Sequence, residues 1–78
     1  GSDGPFQGRI SALFDAFIDA IAAVVTEAGI APTEARRRAE RAVAQIQGSL
    51  VLSRGLGRTE PFRDVLRTMA DELLWQAH

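Results

Sequence analysis

Asp15 and Asp19 stand four residues apart. On a helix that spacing puts both carboxylates on one face, where a pair of acids can hold a cation or share a proton. Neither chemistry is completed by the neighbouring residues. No histidine or third carboxylate lies close by, the chain has no cysteine, and His78, its last residue, is the only imidazole. A thiolate or imidazole metal set is therefore excluded, no cofactor is implied, and the two aspartates read as part of a solvated polar face. Ser49 and Ser53 are hydroxyls without a positioned base, and a serine inside a helix ordinarily packs or bonds back to the preceding turn. The run Glu34-Ala35-Arg36-Arg37-Arg38-Ala39-Glu40-Arg41 is basic enough to touch phosphate. Its glutamates, however, are spaced to pair Glu34 with Arg38 and Arg36 with Glu40, which reads as an exposed, salt-linked face. The residues give no basis for an enzyme.

Two further groups have a bland and a functional reading. Gly48-Ser49-Leu50 superficially resembles the Asp-Ser-Leu attachment site of acyl carrier proteins. The aspartate is missing, the serine falls in mid-helix, and the net charge of −1 is far from a carrier's strong acidity. The aromatic set Phe6, Phe14, Phe17 and Phe62 reads as core, with a cavity wall as the alternative.

The elements that must position these residues are bounded by size. A chain of 78 residues is one domain, and a core of that size seldom supplies more than roughly 3–5 kcal/mol without a staple or association. No disulfide is available, so association with a second copy is the expected route to more burial. Hydrophobic residues make up 46% and charged residues 24%, which excludes a disordered composition. No apolar run is long enough to span a bilayer and no signal peptide is visible, so the expectation is a cytoplasmic protein without a membrane partner. Nine arginines against ten acids give no net basic surface, which argues against direct DNA binding by this chain.

Hydrophobic periodicity predicts an all-α fold of three antiparallel helices, of roughly 20, 23 and 16 residues by the helical-period rule. Residues 1–5 read as a flexible leader or tag remnant, and 6–78 as the helical domain. The first helix runs from about Phe6 or Gly8 to Ala28 on the stripe Ile10, Leu13, Phe14, Phe17, Ile18, Ile21, Val24 and Val25. Gly29 closes it in the left-handed conformation, with Ile30 as the accompanying hydrophobic contact. The second opens at Pro32 behind the weak cap Ala31, with Glu34 in its first turn. Its seam is Ala35, Ala39, Ala42, Val43, Ile46, Leu50 and Ser53. On the opposite side Arg37 and Arg41 give way to Ala44, Gly48, Val51 and Leu52, so one side turns from charged to apolar halfway along. Gly48 costs about 1 kcal/mol relative to alanine inside a helix, and close approach of another backbone is the expected compensation. Gly55-Leu56-Gly57-Arg58 is expected to break the helix, and Thr59 to cap a third one carrying Phe62, Val65, Leu66, Met69 and Leu73 on one face. Leu74 and Trp75 lie off that face.

The order of these elements resembles the C-terminal half of TetR/AcrR-family transcriptional regulators, particularly the LmrA-like branch. The resemblance is carried by the opening Arg9-Ile10-Ser11-Ala12-Leu13-Phe14-Asp15, the Gly-Ile-Ala-Pro turn, and Gln47-Gly48-Ser49-Leu50-Val51-Leu52-Ser53-Arg54. Pro61-Phe62 then opens the last helix, and the match runs from Arg9 to Leu74.

In that family the last two helices pair with their twofold mates in a four-helix bundle, and the long helix before them helps wall the effector pocket. The resemblance thus implies a homodimer whose interface takes in Ala44, Gly48, Val51, Leu52, Arg54, Leu66, Met69 and Leu73. It implies an effector-pocket wall at Phe14, Phe17, Ile18 and Ile21. The family's DNA-reading helix-turn-helix has no counterpart in these residues, so a small hydrophobic effector and an operator are expected to engage only the intact protein. A stand-alone helical interaction module is the alternative reading.

Overall fold

In the computed structural model, residues 4–77 are described, with side chains from Gly8 to Ala77. Most of the expected leader, the Phe6 side chain and His78 lie outside the described residues. Helix α1 spans Gly4–Glu27, α2 spans Pro32–Leu56 and α3 spans Glu60–Leu73. No strand occurs among the described residues. Helix α1 takes in Gly4 and Pro5, which the sequence reading placed in the leader. Proline is tolerated in a first turn because its missing N–H would have no intrahelical partner there.

The turn after α1 forms as its residues dictate. Gly29 takes φ 110°, the Gly29 amide donates to the Thr26 carbonyl at 3.0 Å, and the Ile30 amide reaches back to Val25 at 3.3 Å. This pair of bonds is a Schellman closure, and its hydrophobic contact between Ile30 and Val25 is present. Val25 is 1% exposed and Ala35 fully buried. With Ile30 they form a small core, joined by Ile21, Leu73 and Ala77. The C-terminal ends of α1 and α3 and the start of α2 therefore meet at one end of the molecule.

Helix α2 opens at Pro32 with no side-chain cap from Ala31. It runs through Gly55, which was expected to break it, and stops only where Gly57 adopts φ 70°. The Gly57 and Arg58 amides then donate to the Arg54 and Ser53 carbonyls, a second Schellman closure. Its buried seam is Ala35, Ala39, Ala42, Ser49 and Ser53. Val43 and Ile46 are half-buried beside it, whereas Leu50 is exposed and Ser49 holds the expected place. The Ser49 hydroxyl is satisfied by the Ile46 carbonyl at 2.9 Å.

Thr59 does not cap α3. Its backbone already sits at φ −98°, ψ −6°, and its hydroxyl makes no capping bond, because capping by a side chain needs an extended backbone at that position. The Ser53 hydroxyl on α2 accepts from the Phe62 amide instead, at 3.2 Å. At the other end of α3, the Arg38 guanidinium donates to the Leu73 and Trp75 carbonyls at 3.0 and 2.7 Å. Helix α2 thus satisfies orphan backbone groups at both ends of its neighbour.

Helices α1 and α3 each pack on α2 and scarcely touch one another. The Cα envelope measures 42 × 33 × 12 Å, one helix layer rather than a closed bundle. This explains a departure from the sequence reading. With only α2 beside it, α1 can cover one flank of its broad apolar stripe. Phe14, Ile18 and Ile21 are half-buried, while Leu13, Phe17 and Val24 stay more than half exposed.

Candidate functional site

Three consecutive arginines advance by 100° each around α2 and therefore address three directions. Arg36 reaches α1, meeting Asp19 closely and Asp15 at 3.9 Å, with Glu40 of its own helix also at 3.9 Å. Arg37 stays on the outer side and pairs with Glu34 at 3.1 Å. Arg38 turns to α3, where it binds the carbonyls already described and Glu34 at 3.1 Å. The hydrogen bonds from Arg38, and then Arg37, hold the Glu34 carboxyl below the ordinary carboxylate range. Both expected ion pairs of this run form, and Asp15 and Asp19 face an arginine. The basic run and the paired acids are fastenings between helices, and among the described residues no cluster suited to a metal ion occurs.

A shallow furrow follows the junction of α2 and α3. One stretch, of about 570 Å³, lies between Arg41, Ala42 and Gln45 of α2 and Met69, Glu72 and Leu73 of α3, with Trp75 at its lip. The next, of about 350 Å³, lies between Gln45, Gly48 and Leu52 of α2 and Pro61, Val65 and Thr68 of α3. Gln45 and Glu72 border both, so the two are continuous.

Of the expected interface residues, Gly48, Leu52, Met69 and Leu73 line this furrow. Ala44 and Val51 lie on the adjoining outer side of α2, and Val51 is 71% exposed. Arg54 stands eighteen residues, five whole turns, beyond Arg36 and so on the α1 side of α2. Leu66 borders neither stretch of the furrow and is 47% exposed, although it lies within about 20° of Leu73 around α3. Arg54 is thus the one of the eight that lies on a different side of its helix.

Sequence reasoning missed Gln45, Pro61, Val65, Thr68 and Glu72 as furrow walls, although Val65 was placed on the packing face. A signal was present: Arg41, Gln45, Gly48 and Leu52 repeat at spacings of 4, 3 and 4, and Pro61, Val65, Thr68 and Glu72 do the same. Each row mixes charged and polar residues with apolar ones, so a search for hydrophobic periodicity passes over it. No atom lies within 4 Å of where a Gly48 Cβ would sit, so within one chain the glycine faces open space. None of the residues expected to wall a pocket borders this furrow. Phe14, Ile18 and Ile21 pack toward α2, and Phe17 is 54% exposed.

The family described as transcriptional regulator LmrA/YxaF-like, C-terminal domain, matches residues 1–68. No curated protein and no solved structure matches the chain.

Proposed function

Because the chain belongs to the family of LmrA/YxaF-like transcriptional regulator C-terminal domains, we propose that it dimerises a bacterial TetR-like repressor and supplies part of its effector pocket. The observation that carries this reading is surface area. The chain exposes 5773 Å², whereas a compact monomer of 8.4 kDa exposes about 4,600 Å². The surplus of roughly 1,200 Å² exceeds the ~800 Å² that each partner contributes to a standard interface. A single helix layer has this surplus because both of its broad sides face water, and domains ordinarily need a second layer to cover such a side.

The α2–α3 side is the one assigned to the second copy, through Gly48, Leu52, Met69 and Leu73, with Ala44 and Val51 beside them. Leu66, on the same face of α3 as Met69 and Leu73, is assigned to its edge, and Arg54, on the α1 side of α2, is left out of this contact. Helix α1, with Phe14, Phe17, Ile18 and Ile21, is assigned to the effector side. In the intact cytoplasmic repressor, a small hydrophobic effector bound there would shift the balance between two arrangements of the DNA-reading segments. This chain is assigned neither catalysis nor base reading, and among its described residues no helix is long and apolar enough to cross a membrane. Sedimentation equilibrium at micromolar concentration tests the assignment. Twice the 8.4 kDa chain mass is expected, and a single species of chain mass across the accessible concentrations overturns it.

A further inference from the structure

We propose that α1 is a lever, free to swing as a rigid helix about the Gly29 turn relative to a fixed α2–α3 unit, with Arg36 as its latch. The inference does not rest on the dimer reading, because it concerns fastenings within one chain.

Helix α2 holds its two neighbours unequally. It grips α3 at both ends, by Ser53 on the Phe62 amide and by Arg38 on the Leu73 and Trp75 carbonyls. Such polar ties have fixed geometry, and each satisfies a backbone group that would otherwise lack a partner. Helix α1 lies against α2 along its length through half-buried Ile10, Phe14, Ile18 and Ile21, but among the described residues no α2 side chain ties a backbone group of α1. Its one fully buried described side chain is Val25, in its last turns, where Ile30 and Ala35 close the small core. In the middle of α1 the polar fastening to α2 is the ion cluster of Arg36 with Asp15 and Asp19, in which both carboxylates are mostly exposed and the Arg36 side chain is 44% exposed. Exposed ion pairs contribute little and are weakened by salt. The pivot is supplied by Gly29 in the left-handed region, where only one residue separates it from Ala31, the residue preceding α2.

Residual dipolar couplings of backbone amides, measured on the full chain in weakly aligned solution, test the lever. Couplings from α2 and α3 are expected to fit one alignment tensor at full magnitude, and those from α1 to show a reduced magnitude. Arg36→Gln is expected to lower the α1 values further and leave α2 and α3 unchanged. Raising the salt concentration on the unaltered chain should act in the same direction, which keeps the test decisive whatever the variant does to folding. A twofold dimer preserves the logic, since both copies report identically. Three helices sharing one tensor at equal magnitude, unmoved by Arg36→Gln and by salt, would overturn the proposal. So would an equal loss of magnitude in α3.

Discussion

Replacing Gly48 by leucine separates what the residue does within one chain from what it does between copies. Inside the chain the first added atom meets no conflict, because a Cβ at 48 has nothing within 4 Å, and the rest of the leucine can extend into the open furrow. It also recovers about 1 kcal/mol of helix propensity. For a domain of this size that gain corresponds to a rise in melting temperature of about 4–8 °C. Between copies the sign reverses. If Gly48 lies under a partner helix, four added carbons must be accommodated in a packed contact, at a typical cost of 1–3 kcal/mol per overpacked site. A twofold dimer repeats the insult, so the expected weakening of association is roughly 30-fold or more. Circular dichroism should show helix content held or raised, while a sedimentation concentration series shows the dimer dissociating at higher concentration. Gly48→Ala, adding only the Cβ, should fall between the parent and the leucine variant. A leucine variant that associates as tightly as the parent would refute the reasoning and remove Gly48 from the contact.

Ser53→Ala deletes the hydroxyl that accepts the Phe62 amide, and loss of such a cap costs about 1 kcal/mol. Thermal melts should show the loss, and an unchanged melting temperature would mean that the Phe62 amide finds an equivalent acceptor. Hydrogen bonds from Arg38 and Arg37 hold the folded Glu34 pKa below the ordinary carboxylate range, so its stabilising contribution is fully present above the unfolded pKa and fades as pH falls through the lower folded one. Unfolding measured across this acid range should therefore be less pH-dependent in Glu34→Gln than in the parent, and equal slopes would contradict the assignment. The chain should bind duplex DNA only weakly and without sequence preference, because its net charge is −1 and Arg36, Arg37 and Arg38 are committed to carboxylates and carbonyls. A nanomolar, sequence-specific mobility shift at physiological salt would promote those arginines to readers.

What could be read in advance was whatever is local. The number of helices, the Gly29 closure with its Ile30 contact, the start at Pro32 and the pairings of Glu34 with Arg38 and Arg36 with Glu40 all depend on residues within one turn or two. What escaped depends on partners distant in sequence. Thr59 is the right type in the right place for a cap, yet the bond goes to Ser53, because the backbone conformation at Thr59 is set by how α2 ends. Phe17 carries the same hydrophobic signal as Phe14, and only the absence of a second neighbour for α1 decides that one is exposed and the other half-buried. For the furrow, the eight proposed contact residues were chosen by apolar character and by resemblance. Four lie along it, while Arg54 points elsewhere by its position around α2.

The tie of α2 to both ends of α3 also governs which changes of length the chain can tolerate. A single residue inserted or deleted between Arg38 and Ser53 would shift one tie against the other by about 1.5 Å and rotate it by about 100°. Either tie could then be kept only by giving up the other. A compensating change in α3 restores the length, but rotates Phe62 and Val65 relative to Met69 and Leu73 and so breaks that helix's packing face. Insertions in this stretch should consequently occur in near-integral turns and in both helices together. The Gly57–Thr59 connection lies between Ser53 and Phe62, so it too must return the Phe62 amide to a fixed hydroxyl. Variation in length is thus left to the segments outside the tied pair, above all to the N-terminal half of α1.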